Sequence, residues 1–267
     1  MKTPPIGNDR MHPSVFDRPP SIKHLAKSAG LSLLASVVIH CPANAADNLS
    51  FRFSEDDGYR TGNLSGQPKS EGYKWLGKSG VKVDLAEGAA IWDITGQYSR
   101  CNQQVIASPI SLDDTSIREV RFEAEIELSS IIIPSGKSVE IVSLALQSGE
   151  EAYHPGDTVW STLVMTQSGP EIGQAFRMAD EEKLPGDSKM LEGDGIDPGG
   201  TTTYQVVLVV DKGNDGKPMV RAEASVKGSS SPVVKTEPKP LPANLSEKTV
   251  YPAVYLTWNE EILEAIV

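Results

Sequence analysis

The sequence predicts an all-β protein, and more narrowly an antiparallel β-sandwich. Runs rich in Val, Ile, Leu and Thr recur between clusters of Gly, Pro, Asn and Asp, which is the pattern of strands joined by turns. Two of these runs, 140–146 and 205–210, are almost continuously apolar, as strands covered on both faces are. Helical periodicity is nearly absent after residue 46. Together these features favour a single large β-domain.

The expected strands follow one another at short intervals. The runs 204–210 and 219–226 are joined by a segment containing Asn214-Asp215-Gly216, which tolerates positive φ and predicts a hairpin. The acidic, glycine-rich segment 180–203 predicts a long surface loop, a common place for binding residues. The complete set of expected strands is 49–53, 81–85, 89–94, 105–110, 117–128, 139–146, 159–167, 204–210, 219–226 and 250–258.

The N-terminal region has the features of a secretory signal. The nine-residue apolar run 31–39, interrupted only by Ser32 and Ser36, follows Lys23 and Lys27, and the small residues Ala43-Asn44-Ala45 come after it. This order of charged, apolar and small residues is typical of a cleaved leader, and the run is too short to cross a bilayer as a helix. We therefore predict a signal peptide at 1–45, one β-sandwich domain at 46–267, and export to the periplasm or the medium without membrane insertion.

Composition excludes several function classes once 1–45 is removed. The leader takes five basic and two acidic residues with it, which leaves a net charge of −14 and disfavours nucleic acid as a partner. His154 and Cys101 are then the only histidine and cysteine. An intramolecular disulfide and a zinc site of His and Cys ligands are thereby excluded, and nucleophile–histidine catalysis would depend on His154 alone.

Several short motifs resemble one family of domains. The segment from Phe53-Ser-Glu-Asp-Asp-Gly-Tyr59 to Gln67 resembles its entry motif, Thr158-Val-Trp-Ser161 its central strand, and 203–211 its late strand pair. The family is that of secreted concanavalin A-like (laminin-G-like) sandwiches, common in planctomycete and verrucomicrobial genomes. The resemblance implies a jelly-roll fold of the lectin and glucanase type, a bacterial source, and binding of a glycan or protein. Fold alone does not assign a function.

Three carboxylates alternate along one expected strand, at Glu123, Glu125 and Glu127. Alternate strand residues share a face and lie about 7 Å apart. The laminarinase and lichenase type of enzyme is similar, with an E-x-D-x-E strand, and by that resemblance Glu123 would be the nucleophile, Glu125 the helper and Glu127 the acid/base. This chain has Glu where the helper Asp belongs. The alternative is an amphipathic strand whose acids face water and whose apolar residues face the core.

Two further kinds of site are candidates. Asp194 and Asp197 offer oxygen ligands for calcium in an extracellular sandwich, although Asp is also simply a turn residue. Tyr98 and Tyr153, which lie near turns, are the better candidates for stacking on a sugar ring. Trp160, between Val159 and a further β run, is expected in the core.

The sequence therefore predicts an exported, monomeric or weakly associating, non-catalytic sandwich that binds an extracellular carbohydrate or another envelope component. No cofactor is expected apart from possible calcium. The alternatives are a glycoside hydrolase using Glu123 and Glu127, and a purely structural surface domain. The three functions predict different surfaces. The binding protein requires exposed aromatic rings, the hydrolase requires a cleft lined by carboxylates, and the structural domain requires neither.

Overall fold

The chain folds into two antiparallel β-sheets packed against each other, so the predicted all-β sandwich is confirmed. The only helix among the described residues is α1 (Ala243–Ser246). Within those residues, no helix has the length and apolar character that a membrane crossing requires. The computed structural model describes residues 31–40, 49–68, 73–93, 99–129, 138–153, 155–178, 184–191, 201–212, 217–246 and 248–259.

The first sheet has ten strands, eight of them in the order β16-β15-β14-β9-β1-β6-β5-β3. Two short strands extend it, β17 beside β15 and β2 beside β1. The strands are β1 (Leu31–His40), β2 (Leu49–Phe51), β3 (Gly62–Asn63), β5 (Val81–Asp84), β6 (Ala89–Asp93), β9 (Glu119–Ser129), β14 (Thr201–Asp211), β15 (Met219–Val226), β16 (Val234–Lys235) and β17 (Lys239–Pro240).

The second sheet has eight strands, seven of them in the order β13-β12-β11-β10-β18-β7-β4, and β8 pairs with β18. Its strands are β4 (Trp75–Gly77), β7 (Ser99–Ile106), β8 (Ile110–Ser111), β10 (Ser138–Gln147), β11 (Thr158–Thr166), β12 (Gly169–Arg177), β13 (Leu184–Met190) and β18 (Thr249–Asn259).

The main hydrophobic core lies between the two sheets. On β9 the residues Phe122, Ala124, Ile126 and Leu128 are buried, while the charged residues between them are partly exposed. This is the alternation of a strand with one face on the core. From the second sheet, Leu144, Val159 and Val254 join the same cluster.

The predicted hairpin is confirmed by its register: β14 and β15 pair from Tyr204↔Val226 to Asp211↔Met219. Its turn, 213–216, lies outside the described residues. The prediction of one long loop at 180–203 is wrong for Leu184–Met190, which forms the strand β13 against β12. An edge strand can be held by backbone hydrogen bonds without apolar alternation of its side chains, and its edge position tolerates Pro185, which has no N–H to donate.

The apolar run that was predicted to belong to a leader forms β1 in the interior of the first sheet. One edge of β1 pairs with β9, from Ser32↔Leu128 to His40↔Arg121. Its other edge pairs with β6 near Leu31 and with β2 near Ile39. Residues 1–30 and 41–48 lie outside the described residues, so the predicted cleavage point and domain boundary do as well.

Candidate functional site

The candidate site lies on the face of the second sheet that points away from the main core, called here the outer face. The strand register arranges it in three rows across the sheet. The middle row is made largely of small apolar residues, and polar or aromatic residues flank it on both sides. The rows are Gln103, Tyr255, Ser143, Thr162 and Gly173; Val105, Ala253, Ala145, Trp160 and Ala175; and Tyr251, Gln147, Thr158 and Arg177.

A closed hydrogen-bonded triangle joins the two flanking rows. Gln103 Nε2 donates to Gln147 Oε1 at 2.6 Å and to the Tyr255 hydroxyl at 2.8 Å. The Tyr255 hydroxyl donates in turn to Gln147 Oε1 at 2.9 Å. Both glutamines are essentially inaccessible to solvent, at 1% and 0% exposure. Such a triangle can form because Ala253 and Ala145, in the row between, have short side chains over which the two glutamines meet.

A loop from 148 to 157 lies over one end of this triangle. Gln147 Nε2 donates to the carbonyl of Gly149 at 2.7 Å, which ties the loop to the sheet. The neck of the loop is closed by Ser148 and Asp157: the Ser148 amide donates to the Asp157 carbonyl at 2.8 Å, and the Asp157 amide to Ser148 Oγ at 3.0 Å. Lys248 Nζ also lies 2.7 Å from Asp157 Oδ2. These contacts fix the loop at both ends.

Tyr153 lies on this loop and connects it to β7. The backbone amide of Tyr153 donates to Gln103 Oε1, and the Tyr153 hydroxyl accepts a hydrogen bond from the backbone amide of Gln103 at 3.2 Å. Its φ is 69°, an uncommon conformation for a bulky residue, which the surrounding hydrogen bonds maintain. The Lys78 ammonium lies 4.3 Å from the centre of its ring. The structure thus brings one predicted residue, Tyr153, onto the outer face.

Three further aromatic side chains are half-buried on the same face: Trp160, Tyr251 and Tyr255. They pack around Val105, Ala145 and Ala253 in a small apolar cluster that is separate from the main core. The expectation that Trp160 belongs to the core is wrong, because β11 directs Val159 and Leu163 to the core and Trp160 to the opposite face. We call Tyr153, Trp160, Tyr251 and Tyr255 the aromatic platform.

A second polar group lies farther along β10. Ser143 Oγ donates to Glu140 and lies 2.7 Å from Thr162 Oγ1. Glu140 and Ser143 meet although they are three residues apart, because the register of β10 shifts between Glu140 and Val142. Glu140 is 7% exposed. The row that contains Tyr255 therefore also contains a hydroxyl pair, Ser143 and Thr162, and the nearly buried carboxylate of Glu140 is hydrogen-bonded to Ser143.

The three carboxylates of β9 lie on the other side of the molecule, on the outward face of the first sheet. Glu123 is bound by Arg121 at 3.3 Å and accepts a hydrogen bond from Gln205. Glu125 forms an ion pair with Lys227 at 2.8 Å. The apolar residues between them are buried, so the strand is amphipathic. Glu123 and Glu125 are thus engaged in ion pairs of the sheet surface.

The same surface holds one nearly buried carboxylate, Glu223, at 2% side-chain exposure. Arg121 Nη1 lies 3.0 Å from its carboxylate, Arg221 Nε 2.8 Å and Lys235 Nζ 3.2 Å. Burial raises the pKa of this carboxyl, but the hydrogen bond from Arg221 and the charge of Arg121 outweigh burial and hold the pKa below its ordinary value. This cluster links β9, β15 and β16 by charge and is a structural feature of the first sheet.

The remaining predicted site residues lie outside the described part of the chain: Tyr98, Asp194, Asp197 and His154. Among the residues that are described, no group of three or more His, Cys, Asp or Glu side chains is placed to hold a metal ion. The calcium prediction therefore stays a prediction.

Sequence reasoning did not single out Gln103, Gln147, Tyr251 or Tyr255. One signal was available. Asn102-Gln103-Gln104 places three amides in succession inside a strand, and Gln147 ends the apolar run of β10. Amides at such buried positions require partners, which marks them as members of a network.

Comparison with known proteins yields matches of structure only. No protein-family description and no curated protein sequence matches the chain. Lectin II from Ulex europaeus is 8% identical, with a TM-score of 0.44 over 74% of this chain and 88% of the lectin. Winged bean acidic lectin, in complex with methyl-α-D-galactose, is 11% identical, with a TM-score of 0.42 over 76% of this chain and 91% of the lectin.

An alginate lyase, Aly36B, in complex with an alginate trisaccharide is 11% identical, with a TM-score of 0.36 over 85% of this chain and 99% of the lyase. These proteins are β-sandwiches of the concanavalin A type, the fold type that the sequence predicted for this chain.

Proposed function

We propose that this protein binds a carbohydrate through the aromatic platform on the outer face of its second sheet. The observation that carries the proposal is the placement of Tyr153, Trp160, Tyr251 and Tyr255, half-buried and apart from the main core, around a fixed amide triangle. Sugars present apolar C–H faces and rings of hydroxyls. Partly exposed aromatic rings offer apolar surface with a polar end, which suits such a ligand.

The buried glutamines contribute by holding the rings rather than by reaching the ligand. Gln103 bonds Tyr255 with its side-chain nitrogen and the Tyr153 amide with its side-chain oxygen, so one residue fixes two rings from different parts of the chain. Rings fixed before binding lose little conformational entropy when a ligand arrives. A preorganised platform of this kind favours non-catalytic binding of an extracellular or envelope glycan.

We extend the proposal to location and to calcium. The charged, apolar and small segments before residue 46 support export to the periplasm or medium, and Asp194 and Asp197 would supply calcium ligands there. The glycan would meet the protein outside the cytoplasm. The hydrolase alternative assigns catalysis to Glu123 and Glu127, on the opposite sheet.

The test is native affinity electrophoresis of the exported protein in gels that contain laminarin, xylan, pectin or fucoidan, with and without calcium. We expect retardation in one gel. Trp160→Ala should weaken it at least about fivefold, the effect of losing one important interface contact of about 1 kcal/mol. Glu125→Gln, which changes only an ion pair on the other sheet, is the matched control; relative to its own mobility in a glycan-free gel, it should be retarded as much as the unchanged protein.

The outcomes separate the candidate functions. Retardation that Trp160→Ala leaves intact would contradict the platform, and equal mobility in every gel would contradict binding of these glycans. Clearing of the polysaccharide around the band, abolished by Glu127→Gln, would support the hydrolase instead. Retardation that requires calcium and is lost in Asp194→Asn would support the calcium prediction.

A further inference from the structure

One border of the outer face carries two lysines. Strand β4 forms this border, and its Trp75 packs in the main core while Leu76 packs in the apolar cluster of the outer face. Because side chains alternate along extended backbone, Lys74 and Lys78 lie on the outer side with Leu76, and both are exposed. The Lys78 ammonium is held beside the aromatic platform, 4.3 Å from the centre of the Tyr153 ring.

The opposite border carries an arginine. On β12, Arg177 lies opposite Thr158, and Trp160 is its diagonal neighbour on β11, about 7–8 Å away. Phe176 belongs to the main core, so Arg177 lies on the outer side, where it is exposed. From β4 to β12 the strand order contains five spacings, which separates the two borders by about 24 Å. The aromatic platform therefore lies between two basic borders.

These basic side chains are not neutralised within the protein. No ion pair of the described residues includes Lys74, Lys78 or Arg177. On the outward face of the first sheet, by contrast, Arg121 and Arg221 both pair with a carboxylate. The whole chain is acidic, with a formal net charge of −11. Three unpaired cations around one platform are therefore a local departure from the charge of the molecule, and they attract anions there.

The acids near the platform do not cancel these charges. Glu140 is nearly buried, and Asp157 is paired with Lys248 at 2.7 Å. Glu171 lies at the far end of β12 and is half-buried. The two exposed glutamates at 150–151 lie on the loop above the sheet, where they would repel an anion. Anionic groups of a ligand are thus directed to the two borders.

We propose that the aromatic platform takes an anionic polysaccharide, whose carboxylate or sulfate groups contact Lys74 and Lys78 at one border and Arg177 at the other. The inference rests on the proposed function and adds the charge class of the glycan. Ammonium and guanidinium groups form charge-assisted hydrogen bonds with such oxyanions, and a guanidinium can form two at once. Contact with both borders, about 24 Å apart, requires a chain of several sugars.

Two forms of one polysaccharide test the role of charge. Polygalacturonate and its highly methyl-esterified form share a sugar backbone, and only the first is strongly anionic. In affinity gels without calcium, which can bridge carboxylates, we expect polygalacturonate to bind at least about fivefold more tightly than the ester. This preference should shrink when the ionic strength rises from about 0.01 M to about 0.15 M, because salt screens exposed charges. Fucoidan, whose anionic groups are sulfate esters, separates sulfate from carboxylate recognition.

A matched pair of double variants locates the effect. Lys78→Gln combined with Arg177→Gln should weaken binding of polygalacturonate at least about fivefold, as the loss of two exposed ion pairs does. Lys82→Gln combined with Arg118→Gln removes the same charges from exposed positions of the first sheet and should change binding less than about twofold. Each mobility is compared with that of the same variant in a glycan-free gel.

The outcomes distinguish the charge class from the platform itself. Equal losses in the two double variants, or equal binding of the two polymer forms, would overturn the anionic class. If laminarin, a neutral glycan, is bound through Trp160 as tightly as polygalacturonate, the platform stands and the anionic class is wrong. If Trp160→Ala changes the mobility in none of the gels, the platform is wrong.

Discussion

Gln103 and Gln147, 44 residues apart in the chain, share a hydrogen bond of 2.6 Å over the outer face of the second sheet. They lie on β7 and β10, which are not neighbours, and β18 runs between these two strands. The bond is possible because β18 contributes Ala253 at the crossing point, and it organises Tyr153 and Tyr255 around itself. One amide thus joins three strands and a loop.

Replacing Gln103 by leucine should destabilise the fold. The change removes one of the two donors to Gln147 Oε1 and the acceptor of the Tyr153 backbone amide, next to a glutamine side chain that water does not reach. We expect the free energy of unfolding in urea to fall by about 1–3 kcal/mol, the cost of leaving a buried polar group unsatisfied. Lys82→Leu, an exposed polar-to-apolar change on β5, should stay within about 0.5 kcal/mol. Equal effects of the two changes would contradict the structural role of Gln103.

Tyr153 should contribute to binding through its ring rather than its hydroxyl. Tyr153→Phe keeps the ring and the backbone bond to Gln103, so retardation in the glycan gel should change less than about threefold. Tyr153→Ala removes the ring and its contact with Lys78, and retardation should weaken at least about fivefold. Circular dichroism of both variants checks the fold. Equal losses would show that the hydroxyl, and not the stacking surface, is what the ligand meets.

Glu223 should make the free energy of unfolding depend on pH in the acid range. Its pKa is lowered in the folded protein, so its contribution is complete above the pKa of the unfolded chain and is lost as pH falls through the folded value. Urea unfolding between about pH 7 and pH 2 should therefore show a decline on the acid side of the ordinary glutamate pKa of about 4.3. In Glu223→Gln this decline should be smaller. Glu87→Gln, at an exposed turn, should retain it.

The same substitution should also weaken the fold at neutral pH, because Arg121 and Arg221 lose the carboxylate between them. Removal of one partner from a buried ion pair costs about 3–5 kcal/mol. A Glu223→Gln variant as stable as the unchanged protein at pH 7 would show that neighbouring acids compensate.

Gly77 is required by close packing at the edge strand β4. A Cβ atom there would lie 2.5 Å from the Gln103 carbonyl oxygen and 2.5 Å from Gln104 Nε2, and the backbone oxygen cannot move aside easily. Gly77→Ala should lower the free energy of unfolding by about 1–3 kcal/mol. Gly66→Ala does not serve as a control for this crowding. An added Cβ at Gly66 would have no atom within 4 Å, but the positive φ of Gly66 would itself strain an alanine. If Gly77→Ala left the midpoint of urea unfolding unchanged, β4 and β7 would have to lie farther apart than they do in the structure.

The strands were largely predictable because each depends on residues close in sequence. The alternation at Phe122, Ala124 and Ile126 indicated which side of β9 is buried, and the apolar run 205–210 indicated a covered strand. Strand β13 escaped prediction, since pairing at a sheet edge depends on the neighbouring backbone and leaves little trace in the side chains.

The aromatic platform was only partly predictable for a different reason. Tyr153 could be predicted from its position near a turn in the sequence. Gln103 and Tyr255 could not, because they are 152 residues apart and meet only through the order of strands β10, β18 and β7. Local pattern sets the face on which a residue lies, whereas strand order sets which residues meet there. Trp160 illustrates the limit: its apolar neighbours in sequence lie on the opposite face of the sheet.

The position of β18 also determines when the second sheet can assemble. Thr249–Asn259 is the last described strand of the chain, yet it lies between β10 and β7. While the chain is being synthesised, both neighbours have an unpaired edge until residue 259 has left the ribosome. Closure therefore awaits a late, long-range pairing, a topology associated with slow folding and a delayed native state. A chain that stays unfolded until its translation is complete is also one that can still pass through a narrow translocation channel.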